Sequence, residues 1–331
     1  MSVGFRRARW LPGRHLQTLF GPLLRRRLPL PLVRERWELP DGDFVDADVL
    51  DPLEQPSRLQ TRPVLIVLHG LEGSSEAAYV RGLLAQGRAR GFRSYALNFR
   101  SCSGEPNRLP RSYHSGETRD LDEAVRRVRA ANPGAPLVLC GFSLGGNVLV
   151  KWLGEEGDGV PPEVRAAAAI STPFDLALCA RALDGPGLMS FVYRARFLRT
   201  LKRKALAKAR RFPDALDASR VPALRTLLAF DEIVTAPLHG FRDARDYYAR
   251  SSSAAFLARV RVPLLLLSAE DDPFVPPSAL PIEAARRNPL ITLEIMREGG
   301  HVGFVAGSLL RPRYYAEERA ASFLAARLAP P

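Results

Sequence analysis

From residue 34 onward the chain alternates short apolar runs with longer helical stretches. Arg34–Leu39 and Phe44–Leu50 are β-like runs joined by the turn signal Pro40-Asp41-Gly42. Pro63–Leu68 is continuously apolar and stops at His69-Gly70, the pattern of a strand buried on both faces. A helical stretch over about Glu76–Arg90 follows, with Gly91 placed as a C-cap. Further strands are predicted at Ser94–Phe99, Leu137–Cys140, Ala166–Ile170, Pro263–Leu267 and Ile291–Met296. Helices are predicted at Gly116–Ala131, Leu144–Glu155, near Ser278–Arg287 and at Pro312–Leu328. Strands alternating with helices of this length predict an α/β fold, a mostly parallel sheet with helices on both faces. The rhythm breaks over 172–261, which is helical in character and reads as a cap inserted over the sheet. The organisation expected is an N-terminal arm packing on the core (1–33), a first part of the core (34–171), the helical cap (172–261) and a second part of the core (262–331).

Composition narrows the class. The 331 residues are 46% hydrophobic, 25% charged and 8% aromatic, which excludes a disordered chain, a collagen and a small disulfide scaffold. The longest apolar runs, Val64–Leu68 and Leu264–Leu267, are far too short to span a bilayer. The first residues alternate arginines with apolar side chains and lack an h-region, so no signal peptide is expected. Three cysteines (Cys102, Cys140, Cys179) without CxxC spacing fit a reducing, cytoplasmic location and no structural zinc.

The net charge of +13 is concentrated in two places. Residues 1–36 hold nine basic groups and one acidic, and residues 194–211 hold nine basic and none acidic; the remainder is slightly acidic. No zinc-finger spacing, RNP-type aromatic pattern or basic zipper accompanies the charge, so no nucleic-acid partner is expected. Phe191, Ala195, Leu198, Leu201, Ala205, Ala209 and Phe212 recur at intervals of three or four, so they can form one apolar helical stripe, which Pro213 ends. Arg194, Arg199, Lys202, Arg203, Lys208 and Arg210 lie off that stripe. Two readings follow: a cap helix that packs its stripe on the core and solvates its charges, or a cap that makes peripheral contact with an anionic membrane.

Gly141-Phe142-Ser143-Leu144-Gly145 stands at a strand-to-helix junction. A serine on such a bend needs small residues two positions before and after it, and the bend lifts its hydroxyl above the sheet at a helix N-terminus. Ser143 is therefore the candidate nucleophile. In this architecture an acid and then a histidine follow the serine. His301, in Glu298-Gly299-Gly300-His301-Val302-Gly303 after the last strand, is the candidate base. The acid should end the strand Pro263–Leu267, where Asp271 and Asp272 are neighbours; Asp272 is preferred because it stands directly before the turn. Oxyanion donors are expected from the backbone N–H of Leu144 and of Leu71. His69 reads as structural, and Cys102 and Cys140 as small buried fillers. Neither a metal nor an organic cofactor is implied.

These motifs, with His69-Gly70-Leu71-Glu72-Gly73, Asp271-Asp272-Pro273 and Gly300-His301, resemble the α/β-hydrolase superfamily. Four stretches are more narrowly similar to the YheT-like hydrolases: Leu11-Pro12-Gly13-Arg14-His15-Leu16-Gln17-Thr18, Asn98–Asn107, Tyr113–Thr118 and Gly145-Gly146-Asn147-Val148. Ser101 departs from the glycine usual in that family after Asn-Phe-Arg. The resemblance covers nearly the whole chain and implies an esterase or lipase-like acyl hydrolase. The expected substrate is a small or lipid-like carboxylic ester with a short- to medium-chain acyl group, cleaved through an acyl-enzyme. Transfer of the acyl group to an alcohol, or a non-catalytic lipid-binding role on the same scaffold, are the alternatives. The charged loop Asn98–Glu117 is read as knitted by ion pairs to the N-terminal arm, in preference to an anion site built from Arg100, Arg108, Arg111 and His114.

Overall fold

The computed structural model describes residues 4–53 and 62–328. Eight strands form one sheet: β1 (Val33–Glu38), β2 (Phe44–Leu50), β3 (Val64–Leu68), β4 (Arg93–Asn98), β5 (Leu137–Phe142), β6 (Val164–Ile170), β7 (Leu264–Ala269) and β8 (Ile291–Met296). Their order is β1-β2-β4-β3-β5-β6-β7-β8. From β4 to β8 all neighbours are parallel, while β1 and β2 add an antiparallel edge. Every residue of β3, β5 and β7 is buried, because helices cover both faces. That two-sided burial is why these strands read as unbroken apolar runs.

An N-terminal helix, α1 (Arg14–Leu24), precedes the sheet. One face of the sheet carries α2 (Ala78–Arg88) and the C-terminal helix, packed through Val80, Leu83, Ala316 and Ala320 on Leu65, Val67 and Cys140. The other carries α3 (Arg119–Ala131) and α4 (Leu144–Glu156), with Leu121, Val125, Val148 and Trp152 in the larger core. Between β6 and β7 run α5 (Leu176–Asp184), α6 (Leu188–Arg211), α7 (Leu227–Phe230), a π-helical turn at Asp231–Thr235, α8 (Ala236–Leu238) and α9 (Ala244–Ser251). After β7 come α10 (Ile282–Arg286), the short strands β9 (Val305–Gly307) and β10 (Pro312–Tyr314), and α11 (Tyr315–Ala326).

Three expectations about the helices differ from the structure. The helix near Ser278–Arg287 is split into a 3-10 turn at Pro277–Ala279 and α10, because Pro281 between them removes a donor and bars its predecessor from helix. The last helix starts at Tyr315, since Pro312–Tyr314 pairs as a ribbon with Val305–Gly307. The stripe on α6 is only partly packed: Leu198, Ala205 and Ala209 are buried, whereas Phe191 and Ala195 are exposed.

The basic groups of α6 are not uniformly solvated. Lys208 donates to the carbonyls of Leu109 (2.6 Å) and Arg111 (2.7 Å), and Arg211 to that of Asn107 (2.8 Å). They cap carbonyls of the long loop after β4, which has no strand or helix to satisfy them. The same loop is knitted by charge to the β1–β2 hairpin rather than to the N-terminal arm. Arg100 pairs with Asp41 (2.8 Å), Arg36 with Glu105 (2.6 Å) and Arg108 with Glu38 (2.9 Å), and Arg100 also binds Asp120 of α3 (2.7 Å).

The arm is fixed to the core by another ion pair. Arg25, at the end of α1, binds both carboxylate oxygens of Glu317 on α11, one at 2.9 Å, and both side chains are over nine-tenths buried. Arg25→Ala should lower unfolding stability by about 3–5 kcal/mol, because a buried carboxylate left without its partner is costly. Arg25→Met combined with Glu317→Leu should recover most of that loss in denaturant unfolding. A single variant as stable as the parent would show that this pair does not anchor the arm.

Candidate active site

Strand β5 ends at Phe142 and α4 begins at Leu144, so Ser143 alone makes the turn, at φ 51° and ψ −121°. Holding a non-glycine residue there costs of order 1–3 kcal/mol and requires firm support. Ser143 N–H donates to Ile170 O (2.8 Å), and its carbonyl accepts from Gly146 (2.9 Å) and Asn147 (3.1 Å). A Cβ at position 145 would lie 2.5 Å from the His69 carbonyl oxygen, and one at 141 would run into the carbonyl of Gly145. Glycine at both places is what lets α4 start hard against β3 and β5.

Two loops beyond the C-terminal ends of β7 and β8 bring their side chains to this turn. His301 Nε2 lies 2.8 Å from Ser143 Oγ, and its Nδ1 lies 2.8 Å and 3.1 Å from the two carboxylate oxygens of Asp272. Asp272 Oδ1 also accepts from the backbone N–H of Phe274 (2.8 Å) and Val275 (3.1 Å), which fixes the carboxylate in its turn. The Phe274 ring covers the imidazole, with centroids 4.3 Å apart. Both His301 and Asp272 are buried. Asp271 faces elsewhere: its Oδ1 accepts from Gly300 N–H at 2.9 Å, and burial raises its carboxyl pKa. The structure thus brings Ser143, His301 and Asp272 into one hydrogen-bonded row and leaves Asp271 bracing the histidine loop.

The loop after β3 lies against the serine, and a Cβ on Gly70 would sit 3.1 Å from that of Ser143. Among the described residues neither Leu71 N–H nor Leu144 N–H has a hydrogen-bond acceptor, and both residues line the pocket beside Ser143. Three side chains whose role was not identified from the sequence hold this loop. Tyr79 OH accepts from Gly70 N–H (2.9 Å). Tyr113 OH accepts from Glu72 N–H (2.8 Å) and donates to the Glu72 carboxylate (2.8 Å), which Lys204 of α6 also binds (2.8 Å). Their partners are distant in the chain, so no spacing rule could have found them.

His69 stands beneath the loop as a structural group. Its Nδ1 is 2.7 Å from Gly70 O and its Nε2 accepts from Phe99 N–H (3.1 Å); burial lowers its pKa to about 4, so the ring is neutral with the proton on Nδ1. Burial raises the Cys102 thiol to about 11 and Cys140 further, so neither is a thiolate near neutral pH. Among the described residues no group of three or more His, Cys, Asp or Glu is placed to hold a metal ion.

A pocket opens from Ser143 and His301 into the segment between β6 and β7. Its walls are mainly apolar, with Leu176, Leu183, Phe197, Leu201, Phe230 and Val234 among them. Two acids line it: Glu72, held by Tyr113 and Lys204, and Asp231, which accepts from Thr235 Oγ1 (2.6 Å) and Tyr248 OH (2.7 Å) and whose pKa burial pushes up to about 6.

A family model described as alpha/beta hydrolase fold matches residues 63–308. The chain is 39% identical over 312 residues to the Escherichia coli (strain K12) protein named "Putative esterase YheT", covering 94% of this chain and 89% of that one. It is 32% identical over 295 residues to mouse "Phospholipase ABHD3", covering 88% and 71% of the two chains. With the "Monoacylglycerol lipase" of Saccharomyces cerevisiae it shares 32% over 262 residues, covering 77% and 58%. Among solved structures, a Pyrococcus furiosus esterase superimposes with a TM-score of 0.55 at 17% identity, covering 89% of this chain and 92% of that one, a likeness of fold.

Proposed function

The chain belongs to the α/β-hydrolase superfamily and within it to the YheT-like hydrolases, and from that premise we propose that it is a serine hydrolase of carboxylic esters working through an acyl-enzyme. The observation that carries this reading is the 2.8 Å contact between Ser143 Oγ and His301 Nε2, continued to Asp272. Ser143 Oγ attacks the ester carbonyl as His301 Nε2 takes its proton. The oxyanion accepts from Leu144 and Leu71 N–H, at the positive end of α4. As the C–O bond breaks, His301 returns the proton to the leaving alcohol. Water then enters by the same base and releases the acid. Asp272 holds the imidazole tautomer and stabilises its protonated form. The segment between β6 and β7 serves as a cap whose apolar walls take a short- to medium-chain acyl or lipid-like group.

A chromogenic ester should be hydrolysed by the wild type, and Ser143→Ala should lower kcat by roughly 10⁴-fold or more. Asp272→Asn should lower it by roughly 10⁴-fold, the order found when a triad carboxylate loses its charge. Asp271→Asn should change it little, since an amide oxygen still accepts from Gly300 N–H. Turnover that survives Ser143→Ala would sink the proposal, and the reverse ranking of the two aspartates would move the orienting role to Asp271.

Membrane contact is supported by a different observation. Leu16 of α1 and Leu188, Phe191 and Val192 of α6 are all exposed, and the two helices meet where His15 Nδ1 lies 3.1 Å from Tyr193 OH. Arg14 of α1 and Arg196, Arg199 and Arg203 of α6 are exposed on the same two helices. Exposed apolar side chains accompanied by arginines on the same helices suit an anionic lipid surface, each cation adding up to ~1 kcal/mol that salt screens. The protein should co-sediment with vesicles rich in phosphatidylserine at low salt and release at high salt. Reversing Arg196, Arg199 and Arg203 should weaken that binding without affecting turnover of a small soluble ester. Absence of binding at low salt would reject this surface.

A further inference from the structure

Helix α1 packs Leu19 and Phe20 half-buried against the core, but its two buried residues are the polar Gln17 and Thr18, and Leu16, Leu23 and Leu24 are exposed. It has no side-chain N-cap and carries Pro22 inside, so its own sequence supplies little helical stability. What the two buried polar groups bind is the loop that carries His301. Thr18 Oγ1 accepts from His301 N–H at 2.9 Å and donates to Arg14 O at 2.8 Å. The Gln17 amide accepts from Val305 N–H at 2.7 Å and donates to Val305 O (3.3 Å) and Leu11 O (3.2 Å).

The loop itself is strained and moulded to α1. Val302 and Phe304 stand at φ 57° and 44°, and Gly300 at 60°. A β-branched residue keeps such a conformation only where its surroundings over-determine it. A Cβ on Gly300 would lie 2.5 Å from Arg14 O, and one on Gly303 2.5 Å from Gln17 O, so the α1 backbone occupies the space beside both. Ser171 Oγ accepts from Val302 N–H (3.0 Å) and Asp271 from Gly300 N–H (2.9 Å), which leaves His301 N–H to Thr18 alone among these anchors.

We propose that Thr18 and Gln17 are positioning residues for the reaction, holding His301 at the 2.8 Å distance from Ser143 Oγ by clamping its loop at both ends. The N-terminal helix is thereby part of the active centre although none of its atoms reaches the serine. The proposal rests on the reading of His301 as the base. At position 18 one hydroxyl oxygen both accepts from His301 N–H and donates to Arg14 O, a pairing that valine or alanine cannot make and serine can.

The test compares Thr18→Val, close in shape but without the hydroxyl, with Thr18→Ser, which keeps it. On a soluble chromogenic ester Thr18→Val should lower kcat at least tenfold with KM changed less than threefold, while Thr18→Ser stays within threefold of the wild type in both. Thr18→Ala serves as a second hydroxyl-free variant if the valine variant does not fold, with the same loss of kcat expected. Far-ultraviolet circular dichroism and the unfolding midpoint establish that each variant is folded. A folded Thr18→Val or Thr18→Ala with wild-type kcat overturns the proposal, as does a Thr18→Ser as impaired as they are. His301→Ala and Ser143→Ala, measured alongside, separate the two ideas. If both abolish turnover and the hydroxyl-free variants do not, only the clamp fails. If either of the two keeps turnover, the reading of the site fails first.

Discussion

A single residue, Ser143, turns the chain from strand to helix, and the closeness of that turn constrains everything around it. At φ 51° the serine is held by bonds to Ile170, Gly146 and Asn147, and the helix behind it approaches β3 so nearly that position 145 has no room for a Cβ. The same closeness leaves the N–H of Leu144 free at the helix terminus, where the macrodipole adds to its donor strength. Histidine and carboxylate come from the loops beyond β8 and β7, strands that run parallel to β5 on one side of it and so end at the same edge of the sheet as the serine turn. The sheet order therefore sets the order of groups around the pocket.

Most of the other polar groups near the pocket support backbone. Tyr79, Tyr113 and Lys204 hold the Gly70–Gly73 loop, Lys208 satisfies carbonyls of the loop after β4, and Gln17 and Thr18 hold the histidine loop. Each of these loops lacks regular structure, so its buried N–H and C=O groups need side-chain partners. The segment between β6 and β7 supplies apolar walls on one side and two such lysines on the other, which joins it to the loops beneath by charge-assisted bonds as well as by packing.

The sequence and the structure agree where the physical signal is local. Parallel strands buried on both faces are unbroken apolar runs, and a serine on a tight bend needs small neighbours, so β3, β5, β7 and Ser143 are legible from residue order alone. Asp271 and Asp272 are not separable that way; adjacent residues on a turn point in different directions, and only the folded loop shows which faces His301. The helix α1 escapes pattern reading because its two buried side chains, Gln17 and Thr18, are polar while Leu16, Leu23 and Leu24 are exposed. The stripe on α6 misleads at its first turns for a related reason: periodicity shows which residues share a face but not where the supporting core ends. Lys204 and Lys208 look like surface charge in a basic run, since their partners are distant in sequence.

The central claim is that Ser143 is the residue activated by this arrangement. The most direct measurement is reaction with a fluorophosphonate, which phosphonylates an activated serine, followed by peptide mass mapping. One adduct on the peptide containing Ser143, accompanied by loss of ester turnover and absent from Ser143→Ala, is the predicted result. An adduct on another residue, or labelling undiminished by Ser143→Ala, would contradict it.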